Sequence, residues 1–145
     1  MNIGYLIQLS AKLMKGNLQK RLEKENFTVA QWAVIKDIQM QQQNNASIEC
    51  FTAVAIADRL DMDKPTISGI INRLIEKGFV QKKLHPKDKR AQIIELTETT
   101  LTILPRLEDL SEATIGEALQ QFNDNEKEKL ALYLTKLIIN LRGES

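Results

Sequence analysis

Seven lysine and arginine residues, against two acids, are concentrated between residues 72 and 90 of this 145-residue chain. Such a cluster can neutralise the phosphates of duplex DNA, and Arg, Asn and hydroxyl side chains can also hydrogen-bond to base edges. The net charge is +2 over residues 1–51, +3 over residues 52–97 and −4 over residues 98–145. A solvated basic face is the simpler explanation of a charge run. Because the excess falls on one segment, we predict contact with nucleic acid there.

A capped helix that follows a tight turn leads into the basic run. Asp63 is a good N-cap, Pro65 suits the first helical turn, and Asp61 tolerates the left-handed backbone that such a turn requires. Apolar residues at helical spacing from residue 67 to residue 74 predict a buried side. The residues predicted to contact DNA lie at the start or on the other side of this helix; they are Lys64, Pro65, Thr66, Ser68, Gly69, Asn72 and Arg73. Taken alone, the pattern fits an ordinary amphipathic helix equally well.

Two alternating runs follow Gly78, which is placed as a C-cap glycine. Residues 79–84 and 91–96 are predicted to pair as strands around a polar tip at residues 85–90. An arginine on such a tip can enter a minor groove, and a neighbouring acid can fix its direction. The predicted wing contacts are Lys87, Asp88, Lys89 and Arg90. His85, at the start of the tip, is expected to be exposed to solvent.

The sequence before the turn predicts two helices, a loop and a short strand. Apolar residues at helical spacing over residues 3–24 indicate a long first helix, and Thr28 is a good N-cap for a buried second helix. The polar tract 39–45 is expected to be a loop, and residues 47–51 could form a strand. Thr52 then caps the third helix. The residues of that helix expected to face the core are Val54, Ala57 and Leu60.

The acidic C-terminal part of the chain, residues 98–145, is predicted to form two further helices. Residues 99–122 show apolar positions near helical spacing, with Pro105 early enough to be tolerated or to kink the helix. Residues 123–125 break the pattern. The last helix, residues 126–141, carries leucines at spacings of four, three and four, namely Leu130, Leu134, Leu137 and Leu141. With the stripe of the first helix, this seam exceeds what one subunit needs to cover, so we expect a homodimer rather than an intramolecular bundle.

Four stretches together resemble the MarR family of bacterial transcription regulators. They read TVAQWAVI from residue 28, ADRLDMDKPTIS from residue 57, NRLIEKGFV from residue 72 and DKRAQIIELT from residue 88. The similarity covers roughly residues 28–98, and the chain length and flanking helices also fit. The closest match is the wing pattern Asp-x-Arg, followed by alternating apolar residues and Leu-Thr.

The resemblance implies a mainly α fold with a small antiparallel β wing. A single domain would span residues 1–145, with a winged helix-turn-helix at 28–98 and helical dimerisation parts at 1–25 and 99–145. The implied partner is double-stranded DNA: a homodimer would bind a pseudo-palindromic operator, with repression the expected outcome. Arg90 would be the wing arginine, and Asp88 would orient it.

Two departures from the family pattern affect how bases would be read. Family members often carry a small or polar residue where Pro65 lies, and a basic residue near Gly69. Base contacts are therefore expected to shift to neighbouring positions of the same helix, namely Thr66, Ser68, Asn72 and Arg73.

The resemblance also implies a small phenolic or aromatic effector that binds between the dimer helices and the winged part. The residues that would contribute to its pocket are Tyr5, Met14 and Trp32, although at helical spacing these types are more often plain core. Some relatives sense oxidants through a cysteine in the first helix, which this chain lacks. Cys50 is expected to be a buried, inert thiol.

Enzymatic function finds no support in the residue pattern. The chain has one histidine, no glycine-rich phosphate loop and no paired Cys or His ligands, so we predict no catalytic residue, metal or cofactor. No window approaches a membrane span. The single cysteine and the absence of a secretory start favour a cytoplasmic protein. The alternative left open is a winged-helix module that binds another protein through its hairpin, without direct operator binding.

Overall fold

Helices dominate the fold, and a two-stranded antiparallel hairpin follows the helix that carries the predicted DNA contacts. The computed structural model describes residues 1–143. The elements in chain order are α1 (Ile3–Glu23), α2 (Val29–Gln43), a 3-10 turn (Ile48–Phe51), α3 (Ala53–Leu60), α4 (Lys64–Glu76), β1 (Val80–Leu84), β2 (Gln92–Leu96), α5 (Glu98–Ala118) and α6 (Asp124–Arg142). The predicted fold class, mainly α with a small β wing, is confirmed. Glu144 and Ser145, at the end of the predicted helical dimerisation part, lie outside the described residues.

The predicted helix starts coincide with side-chain caps. Thr28 forms a capping box with Gln31, in which each side chain accepts a hydrogen bond from the other residue's backbone amide. Thr52 caps α3 and Asp63 caps α4 by one bond each, in which the side chain accepts a hydrogen bond from a backbone amide of the first turn. Asp61, between these two helices, has the predicted left-handed backbone with φ of 53°. Local sequence therefore sets the turn of the helix-turn-helix.

The core lies where α2, α3 and α4 meet the hairpin, and α1 and α5 close it from outside. Its fully buried members come from several elements, so the helix-turn-helix is packed on the rest of the chain. Phe27 and Phe79 extend the core toward the α1–α2 turn, with ring centroids 4.8 Å apart. The largest fully buried apolar side chains are Leu22, Ile35, Ile38, Ile56, Ile67, Ile71, Leu74, Ile94 and Leu107.

Two predictions about the segment before α3 are wrong. The polar tract 39–45 is not a loop, because α2 continues to Gln43. Glutamine is a good helix former, and the side chain of Gln39 donates a hydrogen bond to Glu108 of α5 at 2.6 Å. The strand predicted at residues 47–51 is instead a 3-10 turn, Ile48–Phe51. Sheet pairing in this region is limited to a single bridge between Thr52 and Ile93.

The core face of α3 also differs from the prediction. Val54 is exposed, whereas Ile56 is fully buried beside Ala57. Leu60 packs partly against the core as predicted. At 100° per residue, residue 56 lies on the same side of Ala57 as Leu60, whereas residue 54 lies on the opposite side, so the buried face runs through Ile56, Ala57 and Leu60.

The terminal helices leave many apolar side chains uncovered. α5 ends at Ala118, four residues before the predicted limit at Phe122, and contains Pro105 in an unbroken helix. No residue described in α6 is buried, and α1 buries Leu22 alone. Large exposed apolar residues on these two helices include Ile3, Leu6, Ile7, Leu13, Leu132, Tyr133, Leu134, Leu137, Ile138, Ile139 and Leu141. Within residues 1–143, no helix combines the length and apolar character needed to cross a bilayer.

Candidate nucleic-acid interface

The exposed face of α4 contains every residue that the sequence placed there. Ile67, Ile71 and Leu74 are buried against the core, which fixes the rotation of the helix about its axis. The opposite, solvent-facing set is Lys64, Pro65, Thr66, Ser68, Gly69, Asn72 and Arg73. This arc is small in side-chain volume and rich in hydroxyl and amide groups, which are properties that suit entry into a major groove.

Asp63 fixes the start of α4. Its carboxylate accepts a hydrogen bond from the Thr66 amide at 2.8 Å, and Pro65 occupies the first turn, where its missing N–H is not needed. The bond from the Thr66 amide lowers the pKa of Asp63, so the cap is a carboxylate at neutral pH. The first turn, with Lys64 and Thr66, is thereby held at the exposed edge of the helix-turn-helix.

A bidentate ion pair ties α3 to α2 behind this face. The guanidinium of Arg59 donates to both carboxylate oxygens of Asp37, at 2.9 and 2.7 Å. The hydrogen bond to Asp37 raises the pKa of Arg59 despite partial burial. On the outer side, Arg142 of α6 donates to the Arg59 carbonyl at 2.9 Å and to Asp61 at 3.1 Å. The turn before α4 is thus held from two directions.

The hairpin pairs in a regular antiparallel register from Val80 opposite Leu96 to Leu84 opposite Gln92. One face carries the pair of Lys83 and Glu95, at 3.0 Å. Burial opposes ionisation of Glu95, but hydrogen bonds from Lys83 and then Gln81 outweigh it and lower its pKa. The paired strands therefore form the base of the tip, and each begins one residue later than predicted and ends at the predicted residue.

Asp88 and Arg90 lie beside each other at the tip. One Asp88 carboxylate oxygen accepts the Arg90 backbone amide at 3.0 Å and lies 3.5 Å from Nε of the same residue. The Arg90 side chain is 95% exposed. The acid therefore constrains the base of the arginine side chain, and the guanidinium remains available to a partner. Lys87 and Lys89 are exposed on either side of Asp88.

His85 is not the solvent-exposed tip residue that the sequence suggested. Its side chain is 8% exposed, and its ring contacts both the tip and the 3-10 turn. Nδ1 accepts hydrogen bonds from the amides of Lys87 and Asp88, each at 3.1 Å, and Nε2 lies 3.2 Å from the Glu49 carboxylate. Sequence reasoning missed this role because a polar residue beside a basic loop is usually solvated. The available signal was an acceptor side chain two and three residues before two loop amides.

Lys77, one of the seven cations in the basic run, does not face the same way as the wing. Its ammonium donates to the Asn26 carbonyl at 2.6 Å and to Gln31 at 3.3 Å, and it lies 5.6 Å from the Phe27 ring centroid. It fastens the C-terminus of α4 to the α1–α2 turn. The cation count from sequence therefore overstated the basic surface around the wing.

The three residues suggested for an effector pocket do not share a site within this subunit. Tyr5 is exposed, Met14 is half-buried, and Trp32 is buried in the core. Tyr5 and Met14 lie about 13 Å apart along α1 at 1.5 Å per residue. A cavity of about 300 Å³ lies elsewhere, beneath the wing, and is lined by Gln42, Ile48, Phe51, Lys83, Leu84, Pro86, Ile93, Ile94 and Glu95.

Cys50 and the acidic residues were compared with the grouping that a metal site requires. Cys50 is half-buried in the 3-10 turn, not fully buried as expected, with its sulfur 3.7 Å from the Ser47 hydroxyl. In the described part of the chain, no three His, Cys, Asp or Glu side chains are grouped as metal ligands.

Residues 27–91 match the model of the MarR family, and this match spans α2, the helix-turn-helix and the hairpin tip. This winged helix-turn-helix belongs to the MarR family. The MarR family is a family of transcription regulators and not of enzymes, which confirms the predicted class of protein, a transcription regulator. The matched segment contains every predicted DNA-contacting residue, from Lys64 on α4 to Arg90 on the wing.

Solved MarR-family structures share the fold over nearly the whole chain. MepR from S. aureus, solved in complex with DNA, is 21% identical with a TM-score of 0.82, covering 97% of this chain and 98% of that one. A mutant MarR from E. coli bound to operator DNA is 23% identical with a TM-score of 0.78, covering 93% and 92%. CouR from Rhodococcus jostii RHA1, bound to p-coumaroyl-CoA, is 20% identical with a TM-score of 0.80, covering 94% and 91%.

Proposed function

We propose that this MarR-family protein is a transcriptional repressor that binds a pseudo-palindromic operator as a homodimer. The observation that carries the proposal is the joint exposure of the α4 arc and of Arg90, the latter constrained by Asp88. A helix for the major groove and a directed arginine for the minor groove, on one rigid scaffold, constitute a DNA-reading head.

In this proposal α4 reads bases and the wing supplies minor-groove and phosphate contacts. Hydroxyl, amide and guanidinium groups of α4 can hydrogen-bond to base edges, and the residues assigned this role are Thr66, Ser68, Asn72 and Arg73. Lys64 lies at the start of the helix, where it can reach a phosphate, and Lys87 and Lys89 flank the wing tip. Pro65 and Gly69 leave room for close approach of the helix to the groove.

The terminal helices, residues 1–25 and 99–145, are assigned to dimerisation. Exposed leucine and isoleucine side chains on α1 and α6 are numerous, and α6 buries none of its described residues within its own subunit. Monomeric soluble proteins rarely expose apolar surface on this scale, and a second copy would cover it. Two α4 helices related by a two-fold axis would then meet two half-sites, as a pseudo-palindrome requires.

A small phenolic or aromatic effector that lowers operator affinity is part of the proposal. Support comes from CouR, a structural relative that was solved with p-coumaroyl-CoA. Because Tyr5 and Met14 belong to α1, an effector pocket that includes them would be completed by the second subunit. Trp32 lies in the core of one subunit and would line such a pocket on its core side. The site of action, genomic DNA, places the protein in the cytoplasm.

Selection of bound duplexes from a random DNA pool tests this function. The expected consensus contains two inverted half-sites with centres about 10 base pairs apart, and neighbouring promoters can be searched for it. A consensus with one asymmetric half-site would contradict the dimer, and failure to enrich any sequence would favour the protein-binding alternative. A matched pool selected with Arg90→Ala should enrich the same half-sites more weakly.

A further inference from the structure

We infer that His85 and Glu49 position the wing tip for DNA contact, and that the neutral imidazole is the competent form. This inference rests on the proposed wing contact of Arg90. His85 lies at the junction of three parts of the molecule: the end of β1, the tip loop and the 3-10 turn. It is the single histidine of the chain.

The hydrogen bonds around the ring define its tautomer. Nδ1 faces two backbone donors, the amides of Lys87 and Asp88, so it must present its lone pair. The proton therefore sits on Nε2, where it is donated to the Glu49 carboxylate at 3.2 Å. The pKa of Glu49 is lowered, first by a hydrogen bond from its own backbone amide and then by the one from His85. A permanent carboxylate can accept but not donate, so it selects this tautomer.

The hydrogen bonds from the Lys87 and Asp88 amides to His85 fix the backbone that leads to Arg90. Asp88 is the residue whose carboxylate holds the Arg90 amide and lies beside its guanidinium. A second closure, from the His85 amide to the Ala91 carbonyl at 3.1 Å, pins the other end of the tip. The buried ring thus sets the backbone of residues 87 and 88, and that backbone in turn directs Arg90. His85 is a positioning residue in this scheme, since it need not touch DNA.

Protonation of the ring is incompatible with this arrangement. A second proton on the ring can be added only at the vacant position, Nδ1. An N–H at Nδ1 would point at two other N–H groups, so the amides of Lys87 and Asp88 would lose their acceptor. The charged group that contacts the ring from another element is Glu49, which attracts the cation and leaves the Nε2 bond intact. Lys83 and Glu95, on the adjoining strands, are paired with each other. Acidification should therefore release the tip while the ring stays at the 3-10 turn.

The tautomer can be measured without DNA. Long-range ¹H–¹⁵N NMR correlations of the full-length free protein at pH 8 should show the Nε2–H tautomer of its one histidine. Slow amide exchange at Lys87 and Asp88 should accompany it and be lost in His85→Ala. An Nδ1–H tautomer, or unprotected amides at both positions, would overturn the inference whatever the protein binds.

The effect of His85 on function is tested by measuring operator affinity, with the selected site placed in a duplex of about 30 base pairs. At pH 8, His85→Ala should bind about tenfold more weakly because the two tip amides of Lys87 and Asp88 lose their acceptor. His85→Asn should retain near wild-type affinity, because Asn Oδ1 occupies the place of Nδ1 and forms the same local turn. When acid protonates the ring, the wild type should lose affinity relative to His85→Asn, which carries no imidazole.

The variants separate failure of this inference from failure of the proposed function. Arg90→Ala is the reference: if it weakens binding but His85→Ala does not, the wing contacts DNA and the positioning role is overturned. If His85→Asn falls as far as His85→Ala, or follows the wild-type pH profile, the acceptor role is overturned as well. If Arg90→Ala leaves affinity unchanged, the proposed wing contact fails, while the tautomer measurement still decides whether His85 holds the tip.

Discussion

Gly69 provides a substitution whose effects on stability and on DNA binding should have opposite signs. It lies in the interior of α4, on the exposed arc, and a Cβ added there meets no atom within 4 Å. An alanine would therefore stabilise the helix without strain, by about 1 kcal/mol on helix propensity. For a chain of this size that corresponds to a rise in melting temperature of about 4 °C.

The same methyl group should hinder binding if α4 approaches DNA closely at this point. Overpacking a close-fitting contact costs about 1–3 kcal/mol, so Gly69→Ala is expected to weaken operator binding about fivefold or more. The assay is fluorescence anisotropy with the selected duplex, together with thermal unfolding at one fixed protein concentration, because a dimer's melting temperature depends on concentration. A Gly69→Ala variant that is more stable but binds the operator less well would show that residue 69 contacts DNA and is not needed for folding.

Gly116 offers a matched control, since it is exposed on α5 and an added Cβ there also meets nothing within 4 Å. Gly116→Ala should raise stability in a similar way. Because α5 is assigned to dimerisation, its operator affinity is compared at a protein concentration where sedimentation shows a dimer, and there it should equal that of the wild type. If Gly69→Ala binds as tightly as the wild type, the close approach of α4 at this residue is refuted. A loss of stability in Gly69→Ala would instead refute the open, helical environment assigned to the position.

Two further predictions concern the scaffold and the dimer. Arg59→Ala should lower the free energy of unfolding in urea by about 2 kcal/mol, because it leaves the largely buried Asp37 carboxylate without its bidentate partner. Arg59→Lys should recover part of the loss. A change below about 0.5 kcal/mol in Arg59→Ala would contradict a stabilising role of the ion pair between Arg59 and Asp37. Leu134→Glu, on the exposed seam of α6, should shift sedimentation toward the monomer and weaken operator binding. A Leu134→Glu protein that sediments like the wild type would exclude this part of α6 from the dimer interface.

Local signals in the sequence were sufficient for the helix-turn-helix and the strands. Caps at Thr28, Thr52 and Asp63 and the left-handed Asp61 were predictable because each acts through neighbouring residues. Alternation of apolar and polar residues located both strands to within one residue. These features require no knowledge of distant contacts.

The errors arose where distant contacts decide the outcome. Residues 39–43 stayed helical because Ile38 is buried and Gln39 bonds to α5, which a polar composition does not reveal. The burial of His85 depends on Glu49, 36 residues away in the chain. Lys77 belongs to the basic run in the sequence, but its ammonium bonds to the α1–α2 turn and does not contribute to the basic surface around the wing. Tertiary contacts account for the errors at residues 39–43 and Lys77 and for the burial of His85, whereas the bonds of the His85 ring to the tip amides are local.

Operator affinity of Arg90→Ala, measured over a range of salt concentrations, tests the central claim most directly. The wild type should bind with an affinity that falls steeply as salt rises, as expected for a protein that displaces counterions from several phosphates. Arg90→Ala should bind about tenfold more weakly, whereas Lys127→Ala, which removes an exposed cation of α6, should not. Equal affinity of Arg90→Ala and wild type at every salt concentration would contradict the account of the wing as a DNA-contacting element.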